Sequence, residues 1–270
     1  MLIPLVFDIN LLLYIVIILC IGSTLSALTY RWQRRAAAEW RKEAHEFLEL
    51  PYYEPDPLKF SQGRSICPGC NRKIKCIHLI PLLSYALLRG RCNHCQKSIS
   101  IRYPIIELAS AALLLPLYWM YPISAEFGIT LILVCALICA LIIDAEDYWL
   151  PDECSFVVLC CATLLFQLKG QSEVLPNISA ALFAYFFIFS LRYVFLKLRN
   201  LEAIGLGDAK LLAVLVYWLG FSAFTPILLL ASVLGLMGAL VMRKSLSSKI
   251  PFGPYLITAA LGYFYLGYFL

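Results

Sequence analysis

Two aspartates occupy positions where carboxylates are costly. Asp144 closes the apolar run 127–143, within Ile-Ile-Asp-Ala-Glu-Asp-Tyr-Trp-Leu-Pro-Asp (142–152). Asp208 precedes the apolar run that begins at Leu211, within Gly-Leu-Gly-Asp-Ala-Lys-Leu-Leu (205–212). An ionised carboxylate in or beside hydrocarbon costs several kcal/mol unless it is paired, hydrated or protonated, so such acids are functional-site candidates. Two carboxyl groups that share one proton are what aspartyl proteolysis requires. The ionised member takes a proton from water, and the protonated one polarises the scissile carbonyl. Such a pair titrates as a unit, so the sequence assigns neither acid to a role. Gly205 and Gly207 let the backbone turn tightly into a helix at Asp208 or approach a substrate closely.

A second cluster has the spacing of a metal site. Cys67-Pro-Gly-Cys70 is followed by Cys92-Asn-His-Cys95. Two Cys-x-x-Cys knuckles offer four thiolates to one tetrahedral Zn²⁺, and a site closed by four sulfurs is structural, with no open position for catalysis. Cys76 and His94 lie nearby but are surplus to a filled tetrahedron. Cys20, Cys135, Cys139, Cys154, Cys160 and Cys161 fall in or beside apolar runs and read as small hydrophobes.

The elements that must carry these residues are membrane helices. Apolar residues make up 61% of the 270-residue chain and charged residues 14%, which excludes an ordinary soluble domain. Apolar runs suited to spanning lie at Ile9–Tyr30, Pro104–Tyr121, Phe127–Asp144, Cys154–Leu168, Asn177–Leu196, Leu211–Met242 and Pro251–Leu270. The sixth would form a helix about 48 Å long, well beyond a hydrocarbon core of about 30 Å. Gly220 and Pro226 offer a break within it. The expected fold is therefore an all-α polytopic membrane protein of about eight transmembrane helices, with a small zinc-ribbon-like domain inserted after the first.

Charge placement orients this bundle. Of 22 Lys and Arg residues, 14 lie between Arg31 and Arg102, and further clusters lie at Arg192, Lys197 and Arg199 and at Arg243, Lys244 and Lys249. Eight spans place all of these clusters on the cytoplasmic side, together with Asp144 and Asp208, as the positive-inside bias requires. The expected organisation is a first span at 1–30 with its N-terminus outside, a cytoplasmic domain at 31–102 and a transmembrane core at 103–270. Met1–Tyr30 is a retained span, because its apolar stretch is too long for a signal peptide and basic residues follow it. Ala36–Leu50 reads as a separate amphipathic helix ended by Pro51, with Pro55 and Pro57 continuing an extended linker.

Other acids compete with the pair. Glu146, Asp147 and Asp152 follow Asp144 closely, and Asp152 also suits a helix cap. Glu107 neutralises a base such as Arg102 or serves a separate site. Lys210 reads as an interfacial lysine directed away from Asp208. Two other classes remain in view. A proton-coupled transporter would place its acids near the midplane of matching halves, and a zinc-ribbon scaffold for secretion machinery would need neither aspartate.

Several motifs in order along the chain resemble one family. They are Cys-Pro-Gly-Cys, Ile-Pro-Leu-Leu-Ser-Tyr (80–85), Arg-Gly-Arg-Cys-Asn-His-Cys (89–95), Ile-Ser-Ile-Arg-Tyr-Pro-Ile-Ile-Glu (99–107), Ile-Asp144 with Leu-Pro-Asp152, Gly-Leu-Gly-Asp208 and Pro-Phe-Gly-Pro-Tyr (251–255). Together they resemble the type IV prepilin peptidases, multi-pass enzymes of the bacterial inner membrane. The resemblance implies catalytic roles for Asp144 and Asp208 and structural zinc on Cys67, Cys70, Cys92 and Cys95. It implies as substrates prepilins and type II secretion pseudopilins, cut after a short basic leader at the cytoplasmic face. It also implies methylation of the new N-terminus with S-adenosylmethionine, for which no Gly-x-Gly-x-x-Gly element is present. The surroundings implied are membrane lipid, with no nucleic acid. The chain departs from the family at Ser26, where members carry Asn, in lacking Pro after Arg31, and in lacking Asn before Ile80.

Overall fold

The computed structural model describes residues 9–53, 67, 69–70, 72–75, 80–170, 174–199, 205–241 and 250–269. Cys76, Pro55, Pro57, Arg243, Lys244 and Lys249, named above, lie outside them. Among the described residues all regular elements are helical, and the chain divides into two compact units, 1–118 and 119–270.

In the first unit, α1 (Ile9–Phe47) packs along α3 (Arg102–Leu114), with the short α2 (Leu83–Leu87) between them in sequence. The first span and the amphipathic helix expected as separate elements form this one 39-residue rod. The reason is local. Arg31 to Phe47 contains neither Gly nor Pro and is rich in Ala, Arg, Glu and Lys, so nothing interrupts propagation. The rod stops where expected. Glu49 turns left-handed at φ 53°, Leu50 N–H closes back on His45 O at 2.8 Å, and Pro51 follows, a Schellman-type ending.

The α1–α3 interface has close backbone approach and a polar seam. A Cβ on Gly22 would lie 3.1 Å from the backbone of Glu107, so any larger residue would push the two helices slightly apart at this close approach. Tyr14 donates to Leu114 O at 2.7 Å. The Arg102 guanidinium donates to Ser26 O at 3.1 Å, Ser26 Oγ at 3.4 Å, Thr29 Oγ1 at 3.1 Å and Gln33 Oε1 at 3.5 Å. Ser26, Thr29 and Gln33 share one face of α1 at i, i+3 and i+7. Ser26, the position where the sequence departs from the family it resembles, thus lies fully buried on this seam.

The second unit begins with the remainder of α4 (Leu117–Met120) and continues with α5 (Ala125–Asp147), α6 (Asp152–Leu168), α7 (Val174–Arg199), α8 (Leu206–Leu219), a 3₁₀ turn (Phe221–Ala223), α9 (Phe224–Val241) and α10 (Gly253–Phe269). Gly220, at φ 86°, ends α8 and separates it from α9 as its sequence position suggested, because a left-handed backbone is freely open only to glycine. Pro226 lies in the first turn of α9, where a proline costs no helical hydrogen bond.

Counting α3 with α4, eight long helices are present among the described residues, and the fold is that of a multi-pass membrane protein. Five are long and apolar enough to cross a membrane by length and composition: Ile9–Phe47, Arg102–Met120, Ala125–Asp147, Val174–Leu198 and Phe221–Val241. The other three are shorter, and α8 at 14 residues is only about 21 Å long. That short helix is nevertheless the hub. It packs on α6, α7 and α10, and Leu211, Leu212, Leu215 and Val216 are essentially inaccessible.

Candidate active site

Asp208 owes its position to how α8 starts. Gly205 is the N-cap, with extended backbone at φ −71° and ψ 146°, and Asp208 is the third helical residue. Its carboxylate folds back over the cap, so that a Cβ on Gly205 would lie 3.2 Å from Asp208 Oδ2. An acid at the third position reaching back to the cap is half of a capping box, favoured also by the positive end of the helix. The spacing of Gly205 and Asp208 therefore has a structural reason in addition to a chemical one.

Asp144 lies in the last turn of α5. Tyr148 then turns left-handed at φ 58° and returns its N–H to Asp144 O at 3.0 Å. Asp144 is buried, and its Oδ2 has no hydrogen-bond partner. Gly253, the first residue of α10, presses against this carboxylate, and a Cβ there would sit 2.6 Å from Oδ2. Leu150 packs between the two helix starts, 3.3 Å from a Cβ on Gly207 and 3.1 Å from one on Gly253.

Asp144 and Asp208 line the same cavity, of about 440 Å³, together with Gly205, Gly207, Leu150 and the rim residues Asp152, Glu153 and Lys210. Two acids from distant parts of the sequence thus line one open, polar hollow. Of the competing acids, Asp152 reaches the cavity. Glu146 and Asp147 are exposed on the outer turn of α5 and do not line it.

Lys210 is exposed, as an interfacial lysine should be, and gains a partner that the sequence did not indicate. It faces this cavity and donates to both carboxylate oxygens of Asp152, at 2.9 and 2.7 Å. The bend at Tyr148–Pro151 brings the start of α6 alongside that of α8, a proximity invisible in the helical spacing of Asp208 and Lys210. Gly253 and Leu150 were also missed as site residues. The only sequence signal for Gly253 was its place between prolines in Pro-Phe-Gly-Pro.

In the first unit, the four cysteines of the paired knuckles converge. Their sulfurs all lie within 4.8 Å of one another, and Cys67 and Cys95 are 3.7 Å apart. A tetrahedral site with metal–sulfur bonds of about 2.3 Å has an edge of about 3.8 Å, so the set fits a thiolate-bound metal. The second knuckle is folded by Cys92 N–H to Lys97 O at 2.9 Å, Ile99 N–H to Gly90 O at 2.7 Å and an Arg91–Ser98 bridge. Backbone N–H groups of Cys95 and His94 hold the Cys92 thiol down at about 6. The Lys97 N–H favours the Cys95 thiolate, but desolvation and the neighbouring Cys92, Cys67 and Cys70 sulfurs push Cys95 up to about 11. A divalent cation relieves that repulsion. His94 instead lies 3.3 Å from Arg72 through Nδ1 and is not among the converging ligands.

Among the described residues, Glu107 is the other buried acid. Its Oε2 accepts the Leu82 N–H at 2.9 Å, fixing the turn before α2, where Leu82 has a left-handed φ of 56°.

Residues 16–121 match the bacterial peptidase A24 N-terminal domain, and residues 131–240 match the type IV leader peptidase family. Among curated relatives, the prepilin leader peptidase/N-methyltransferase of Pseudomonas putida is 35% identical over 89% of this chain and 85% of its own. The one from Aeromonas hydrophila is 36% identical over the same shares, and the one from Neisseria gonorrhoeae is 36% identical over 87% of this chain and 83% of its own. No solved structure matches the chain. With two family domains in order and this identity across most of its length, the chain belongs to the type IV leader peptidase family.

Proposed function

We propose that this protein is a prepilin leader peptidase in which Asp144 and Asp208 activate water against the peptide bond that joins the leader to the mature subunit. The observation that carries the reading is the one cavity lined by both acids. In the working state the two carboxyls hold one proton between them. The ionised acid takes a proton from the attacking water while the other gives its proton to the carbonyl oxygen; as the tetrahedral intermediate collapses, the first passes the proton taken from water to the leaving amine and the second recovers its proton from the gem-diol hydroxyl. Gly253 leaves room for the Asp144 carboxylate, and Gly205 with Gly207 leaves Asp208 open to the substrate backbone. The substrates are type IV prepilins and type II secretion pseudopilins, cut at the cytoplasmic face of the bacterial inner membrane. The clustering of basic residues at 31–102 supports that sidedness.

Cys67, Cys70, Cys92 and Cys95 hold a structural zinc ion. Its contribution is a cross-link that folds the knuckles, since four thiolates leave it no site for substrate. A second activity, methylation of the exposed N-terminus from S-adenosylmethionine, is supported by the names of the relatives.

Purified protein in detergent, incubated with a prepilin, tests the reading. Leader removal by the wild type, lost in Asp144→Asn and in Asp208→Asn, supports it. Full cleavage by either variant overturns the pair. Mass spectrometry of the cleaved product, with and without S-adenosylmethionine, reads methylation separately.

A further inference from the structure

Two glycines border the acids, and one leucine presses on both. Gly207 lies in the first turn of α8 beside Asp208, and Gly253 is the first residue of α10. Neither has a positive φ. Within a helix glycine is about 1 kcal/mol less favourable than alanine, so backbone conformation does not call for it at 207. Contact does. A Cβ on Gly207 would lie 3.3 Å from Leu150 Cβ and 3.4 Å from its Cδ1, and one on Gly253 would lie 3.1 Å from Leu150 Cδ2. The two methyl groups of a single side chain are thus seated against the starts of two different helices. One start holds Asp208, and the other packs on Asp144, whose Oδ2 is 2.6 Å from the Cβ position of Gly253.

Leu150 also has little freedom to follow a shift of either helix. It stands between Tyr148, left-handed at φ 58° with its N–H returned to Asp144 O, and Pro151, the buried N-cap of α6 with φ fixed at −65°. A left-handed tyrosine costs about 1–3 kcal/mol and persists only where its surroundings impose it. The bend that carries Leu150 is therefore tied directly to the last turn of α5, and the side chain forms part of the cavity wall.

We propose that Leu150 is a positioning residue for the two acids: its forked side chain, one methyl group on each helix start, sets how far the Asp208 end of α8 stands from the contact between Asp144 and Gly253. The inference rests on the peptidase reading above and adds to it the side chain that holds the two acids in register.

Cleavage of a prepilin by purified protein in detergent, with kcat taken per folded enzyme, tests it. Leu150→Ala is expected to lower kcat about 10–100-fold, the scale of a misplacement approaching 1 Å, with KM nearly unchanged. Leu150→Met keeps the volume but not the fork, so its thermal melt stays near that of the wild type while kcat falls by a smaller factor. Gly207→Ala crowds Leu150 and also lowers kcat. In the Leu150→Ala/Gly207→Ala double variant the new methyl group enters vacated space, and kcat is expected to exceed the product of the two single losses by at least about fivefold. A leucine that merely filled space would lower the melt and leave kcat per folded enzyme alone. Where Leu150→Ala does not fold, Leu150→Met carries the comparison, alone and with Gly207→Ala. Wild-type kcat in the Leu150 variants, or single losses that simply multiply in the double variant, overturns the positioning role and leaves the acids in theirs. Failure of the wild type to cut the prepilin overturns the peptidase reading and the positioning role with it.

Discussion

Glu107 in the first unit and Asp144 in the second are buried to the same degree, at 6% and 5% exposure, yet their carboxylates live differently. Glu107 spends an oxygen on the Leu82 N–H and fixes a turn. Asp144 lines a cavity together with Asp208, and its Oδ2, packed against Gly253, makes no side-chain hydrogen bond. Leaving a buried acceptor unsatisfied costs about 1–3 kcal/mol, and native structures retain such groups where something else uses them. Burial alone therefore does not mark a reactive acid. What separates the two is whether the protein has already satisfied the group.

The strongest way to break this comparison is to neutralise the open pair. Asp144→Asn or Asp208→Asn is expected to lower kcat for leader removal by about 10²–10⁴-fold, the span of general acid–base catalysis, with an unchanged thermal melt. Near-wild-type turnover in either variant would erase the distinction. Removing a ligand from the cysteine cluster comes next. Cys92→Ser is expected to lower metal affinity by more than about 100-fold, read as metal content after dialysis, and to expose residues 67–101 to protease. Retained metal at full stoichiometry would show that the four sulfurs do not act together.

The contact between Gly253 and Asp144 is tested by Gly253→Ala. Its methyl group would meet Oδ2 at 2.6 Å and force the carboxylate aside. Because a misplacement of about 1 Å can cost about 100-fold, a loss of that order in kcat is expected, with only a small shift in the melt. A wild-type rate would mean that the carboxylate relocates freely. The smallest effect belongs to Glu107. Glu107→Ala leaves the Leu82 N–H without its acceptor and is expected to destabilise the first unit by about 1–3 kcal/mol, whereas Glu107→Gln keeps an acceptor oxygen and loses less. Equal melts for the two variants would remove the structural role assigned to Glu107.

The two regions were also unequally legible. The cysteine cluster could be read directly, because each knuckle closes within four residues and the pair repeats the pattern. The Gly220 break could be read as well, since only glycine adopts that backbone angle without cost and an unbroken helix would have overrun the bilayer. The end of the first span could not. Aromatic and basic residues at 30–35 mark a change of environment, but helix propensity does not respond to environment, so α1 ran on to Phe47.

By itself the sequence determined which segments are helical, where most of them stop, which four sulfurs lie in paired turns and which acids sit at the ends of apolar runs. All of these depend on neighbours within a few residues, where the code of period, capping and backbone freedom is strong. The tertiary structure decided what stands beside each acid. Gly253 against Asp144, Leu150 between two helix starts, and Lys210 on Asp152 are contacts between helices far apart in the chain. Interhelical packing fixes such contacts through the summed fit of many apolar side chains, which no short stretch of residues encodes.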